Sequence, residues 1–212
     1  FEAARPDFGN SDMLTEDRDV WPVLGGGLTG LAIHETGHIV SARLTGHDPE
    51  IRGNDSRTFN TGPELVAGLS VLFAHHLGED SHLPLLPDIV YDFHPVRTPR
   101  GMLYVDENGM PVSHGRRDHA FIVYSGIMYQ NAANEYILTK HPHLIDRDDP
   151  FLKGLFFMNI FLPSFYTAWG YQDENSDLRL LREDLEMEKW KLNAMVLAPA
   201  ALDVYRYYHP EK

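Results

Sequence analysis

The segment Leu31-Ala32-Ile33-His34-Glu35-Thr36-Gly37-His38-Ile39-Val40 sets two histidines four residues apart inside an apolar, small-residue run reaching from Leu28 to Leu44. Gly25-Gly26-Gly27 opens the run and Gly46 follows it as a C′ residue, so the spacing predicts a first helix over 28–44. In a helix, i and i+4 lie one turn apart on one face, so the imidazoles of His34 and His38 can converge on a single ion. Glu35 falls at the edge of that face, placed to take a proton from a metal-held water without being a ligand itself.

The rest of the composition narrows the choice of ion and partner. The chain has 212 residues, 43% hydrophobic and 23% charged, which suits one sizeable domain over 21–212 preceded by a polar, acidic extended arm over 1–20. A formal charge of -13 speaks against general nucleic-acid or anionic-membrane binding. There is no cysteine, so disulfides, thiolate zinc fingers, iron–sulfur ligation and thiol nucleophiles are excluded together, which leaves the 12 histidines as the candidate nitrogen ligands for a metal such as zinc. Lack of cysteine suits an exported, periplasmic or secreted protein, with a cytoplasmic location as the alternative. The most apolar stretch, 151–169, carries Lys153, Asn159 and Pro163 and falls short of the roughly 18 uninterrupted apolar residues of a membrane span, so it reads as a buried helix.

Periodicity and end signals predict a mainly α fold, of α+β type, with a small β-hairpin or edge strand. A second helix is expected over 63–77, opened by Pro63 and closed by Gly78. Residues 102–105 and 110–114 suggest a hairpin around Asn108-Gly109, with Pro111 confining its second arm to an edge. A third helix should run from about Asp118 to Thr139, and a fourth from Pro150 behind an Asp149 cap, kinked or interrupted near Pro163. Ser176 or Asp177 caps a charged helix to about Leu197, broken by Pro199 ahead of an aromatic turn over 205–208. The set Phe156, Phe157, Phe161, Phe165 and Trp169 reads as core packing, and Arg179–Glu183 as an i, i+4 pair on a solvated face.

The motif resembles that of the zincin metallopeptidases over about 15 residues. That resemblance implies a catalytic Zn2+, His34 and His38 as its first two ligands, Glu35 as the catalytic base, and a peptide or protein substrate held along an edge strand, here from 51–60 or the 102–114 hairpin. Metzincins continue with glycine and histidine three and six residues after the second histidine, whereas this chain has Ser41 and Leu44 there. Ala42 and Gly46 are similar to the motif helix of site-2 proteases, but the Asp-Gly ligand motif and the multiple membrane spans are missing. Gluzincins take a later glutamate, often from an Asn-Glu pair, which implies Glu135 of Asn134-Glu135 as third ligand, near Gln130 and Asn131. The aspartate many gluzincins carry four residues later is Thr139 here. Asp173 and Asp177 are the rival third ligands. His114, His119 and Tyr124 are candidates for stabilising an oxyanion, and His75-His76 are expected to be non-ligands. The expected activity is a zinc-dependent hydrolase, with a metal-binding protein lacking turnover, or hydrolysis of a non-peptide amide or ester, as alternatives.

Overall fold

Glycine has poor intrinsic helix propensity, yet the run at 25–30 is helical throughout because those positions are where neighbouring helices touch. The computed structural model describes residues 17–52, 88–99, 101–147, 149–169, 171 and 177–209. Helix α1 spans Asp17–Leu44. It ends in a Schellman motif, with Gly46 at φ 86° and the His47 amide donating to the Ala42 carbonyl at 2.9 Å. The helix begins earlier than the sequence suggests, so residues 17–20 are not part of an extended arm; residues 1–16 lie outside the described residues, as does the expected helix over 63–77.

Four further helices follow among the described residues: α2 (Gly115–Lys140), α3 (Pro150–Trp169), α4 (Asp177–Leu185) and α5 (Lys189–Tyr208), with a 3-10 turn at Pro142–Arg147. Helices α2 and α3 both pack on α1, α5 packs on both of them, and α4 lies on α2. A Cβ added at Gly26 would stand 1.9 Å from the Phe151 carbonyl oxygen, and one at Gly154 1.9 Å from that of Val23, so α1 and α3 meet backbone to backbone. One core cluster joins Ala120, Val123 and Ile127 of α2 to Leu178, Leu181, Leu192 and Val196 of α4 and α5. Another joins Ala42 and Ile122 to Phe93 and Tyr104 of the β region.

The β content is small. Strands β1 (Glu50–Arg52) and β2 (Asp88–Val90) pair antiparallel, as do β3 (Phe93–Thr98) and β4 (Gly101–Asp106). The hairpin therefore differs from the expected one. Residues 101–106 pair with the preceding strand, closing at Thr98 and Gly101, where Gly101 adopts φ 116°. Asn108-Gly109 does form a tight turn, with the Asp106 carboxylate accepting from the Asn108 and Met110 amides at 2.9 and 2.8 Å. Beyond it only a Val105–Pro111 bridge forms, because Pro111 has no N–H to continue a ladder.

Helix ends also depart from expectation. Asp149 caps α3 as expected, accepting from the Phe151 amide at 2.8 Å, but α3 continues through Pro163 to Trp169. The expected helix to Leu197 is two helices, divided at Glu186, which takes φ 50°, and Pro199 sits inside α5. Pro199 leaves the Met195 carbonyl without its helical donor, and the Tyr124 hydroxyl of α2 donates to that carbonyl at 3.4 Å. Of the aromatic set, Phe156 is core, whereas Phe157 and Phe161 stack at 5.1 Å on the exposed side of α3. The Arg179–Glu183 pair is present at 3.3 Å. No helix among the described residues is long and apolar enough to cross a membrane.

Candidate functional site

His34 and His38 are buried, at 3% and 6% exposure, and their Nε2 atoms stand 3.0 Å apart with the rings nearly perpendicular. The other ring nitrogens fix what those Nε2 atoms can be. His38 Nδ1 lies 2.8 Å from the Ile122 main-chain carbonyl, which only accepts, so Nδ1 carries the proton. His34 Nδ1 lies 3.1 Å from Gln130 Oε1. Gln130 Nε2 donates to the Gly30 carbonyl at 3.3 Å, which turns the amide oxygen toward His34 and makes that Nδ1 a donor as well. Two Nε2 lone pairs therefore point at one another, an arrangement that repels unless a cation, proton or metal, lies between them. Zn–N bonds of 2.0–2.1 Å at a tetrahedral angle separate two ligand nitrogens by about 3.3–3.4 Å, so the pair fits a zinc ion with an adjustment of a few tenths of an ångström.

This close approach depends on two missing side chains. A Cβ at Gly126 of α2 would stand 2.6 Å from His34 Cε1 and 2.7 Å from His38 Nε2, and one at Gly37 of α1 would stand 2.6 Å from the Ser125 carbonyl oxygen. Glycine at both positions lets α2 run directly over the imidazoles.

Glu35 is half-buried one residue on from His34, around the helix from the face packed on α2. Glu135 is not where the gluzincin resemblance implies. It lies nine residues beyond Gly126 on α2, about 13.5 Å along the axis, and its carboxylate pairs with Arg206 of α5. The structure therefore does not bring Glu135, the expected third ligand, to the histidine pair. Helical periodicity is the reason: Gly126, Gln130 and Asn134 form the stripe turned into the bundle, and Glu135 falls about 100° off it. Among the described residues no three His, Asp or Glu side chains gather at one point.

Of the rival ligands, Asp173 lies outside the described residues, and Asp177 is the first residue of α4. Helix α4 runs antiparallel along α2. Its register is held by His119, whose Nδ1 donates to Asp184 at 2.6 Å, and by Arg116, which donates to the Glu183 carbonyl at 2.8 Å. Tyr104 also donates to Asp184, and its phenol is pushed well above its ordinary pKa, first by burial and then by that carboxylate. His119 and Tyr124 are thus engaged in packing α2 against α4 and α5. His114 is exposed at the start of α2, and His75-His76 lie outside the described residues.

Behind the pair runs a line of buried amides that the sequence reading only partly anticipates. Asn159 Nδ2 of α3 donates to the Gln130 main-chain carbonyl at 3.4 Å and to Asn134 Oδ1 at 2.7 Å, and Asn134 Nδ2 donates to Asp203 Oδ2 of α5 at 2.7 Å. Gln130, Asn134, Asn159 and Asp203 are each at most 1% exposed. Asp203 is pushed up to about 7, first by burial, against the lowering effect of the Asn134 hydrogen bond, and further by Glu135. Asn159 and Asp203 give no motif in sequence; the available signal is a lone polar residue in an otherwise apolar helical stretch. No protein-family model, curated protein or solved structure matches the chain.

Proposed function

We propose that this protein is a zinc-dependent hydrolase acting on peptide bonds. The observation that carries the reading is the convergence of two buried Nε2 atoms whose Nδ1 atoms are both committed to carbonyl oxygens, with a glutamate beside them. His34 and His38 would hold the ion, with Ile122 and Gln130 fixing the ring orientation and tautomer that a metal-ligating histidine requires. Asp177, the first residue of α4 and one of the rival ligands that the sequence offers, is our choice for the third protein ligand. Bound zinc would supply a Lewis acid for the scissile carbonyl and lower the pKa of its water. Glu35 would take the proton from that water and return it to the leaving amine.

Metal analysis of protein purified without added zinc, joined to turnover of a peptide library with and without chelator, tests the reading. About one equivalent of zinc and chelator-sensitive cleavage are expected. A hard cation in place of zinc, or no metal after reconstitution, overturns it; zinc without cleavage of peptides leaves metal binding standing and removes the peptidase.

A further inference from the structure

Three buried polar side chains in series, Asp203, Asn134 and Asn159, ending on the main-chain carbonyl of Gln130, are a costly way to pack helices unless each has a defined partner. In this ladder each amide has two possible senses, oxygen one way or the other, and the ends decide between them. At one end Asp203 Oδ2 accepts from Asn134 Nδ2, which turns Asn134 Oδ1 toward Asn159 and makes it accept from Asn159 Nδ2. The same Asn159 NH2 reaches the Gln130 carbonyl, and its Oδ1 is left beside Gly30, where an added Cβ would stand 2.6 Å from it, with no hydrogen-bond partner. Turned over, Asn159 would bring its NH2 beside Gly30 and compete with Gln130 for the Gly30 carbonyl. Gln130 would then be free to rotate, and His34 would lose the acceptor that holds its proton on Nδ1.

We propose that Asp203 is a remote positioning residue for the histidine pair: as the accepting end of the amide ladder, it sets the sense in which Gln130 presents oxygen to His34, and so leaves the His34 Nε2 lone pair facing His38. The groups facing Asp203 leave this role intact: Asn134 and Glu135 of α2, Asn159 one bond further on α3, and Arg206 on α5 itself. A proton taken up on the oxygen turned to Glu135 still leaves Oδ2 accepting from Asn134. For zinc, the proposal rests on the metal reading above; for the tautomer it does not.

His38 is an internal control, because its Nδ1 is held by a main-chain carbonyl that the ladder does not touch. The test is imidazole 15N NMR of the metal-free full chain at pH 8.5, comparing wild type with Asp203→Leu and with the near-isosteric Asp203→Asn, which can present either sense to Asn134. Wild type should show both rings protonated at Nδ1. In the variants His34 should become a mixture of tautomers while His38 is unchanged, and zinc affinity should fall about 10–100-fold, as for other residues that orient a metal-binding histidine. If Asp203→Leu fails to fold, Asp203→Asn decides. Both rings unchanged, or both disturbed together, overturns the proposal and makes the ladder helix-packing glue. A wild type that binds no zinc refutes the metal reading and leaves the tautomer result to decide this one.

Discussion

Glu35→Gln keeps the shape of the side chain and removes only its basicity, so the variant should bind zinc as wild type does and lose on the order of 10²–10⁴-fold in turnover. Equilibrium zinc titration alongside peptide cleavage checks it, and release of zinc would make Glu35 a ligand. A second comparison separates the two readings of the third ligand. Glu135→Ala should bind zinc normally, its loss limited to a half-exposed ion pair with Arg206 worth about 0–1 kcal/mol. Asp177→Ala should bind zinc far more weakly under the same conditions. The placement of these residues also bears on what one sequence conveys about a site. His34, Glu35 and His38 are legible because i, i+4 spacing on one helix fixes their geometry locally. The choice of Glu135 rested on a family pattern, and periodicity within α2 already turned that residue off the stripe of Gly126 and Gln130. Asn159 and Asp203 reach the site only through the packing of α3 and α5.

At the scale of elements, the helical composition was readable from caps and periodicity, while the places where elements divide were not. Pro199 reads as a breaker, yet α5 passes through it and a hydroxyl from another helix serves the freed carbonyl. Tyr124→Phe should therefore cost about 0.5–1.5 kcal/mol by removing the donor to the part-buried Met195 carbonyl, measurable as a lowered denaturant midpoint with unchanged slope. The true division is at Glu186, a non-glycine residue at positive φ with no sequence signal of its own. The hairpin was misplaced for a related reason: Asn108-Gly109 is a real turn, but the strand that completes β4 comes from the histidine- and proline-dotted stretch upstream, which carries little alternation.

For the molecule as a whole, Asp203 links stability to pH. Its carboxyl titrates at about 7 in the fold against an ordinary value of 3.8, so the folded state binds the proton more tightly than the unfolded chain. The contribution is fully present below about pH 4 and is lost as pH rises toward 7, a slope opposite to that of an ion-paired aspartate. Chemical denaturation of Asp203→Asn across pH 4–8 should lack this fall; an identical profile would mean the carboxyl is not held neutral. The glycines at 26 and 154 bear on something else, the tolerance of this sequence to change. On an ordinary helix, replacing glycine by alanine is among the safest substitutions and gains up to about 1 kcal/mol. Here a single added methyl at either position meets a carbonyl oxygen of the opposite helix, and no rotamer exists to move it aside. In a library of variants, these positions should reject alanine nearly as firmly as leucine, and the crossing of α1 and α3 should be among the slowest parts of the chain to drift.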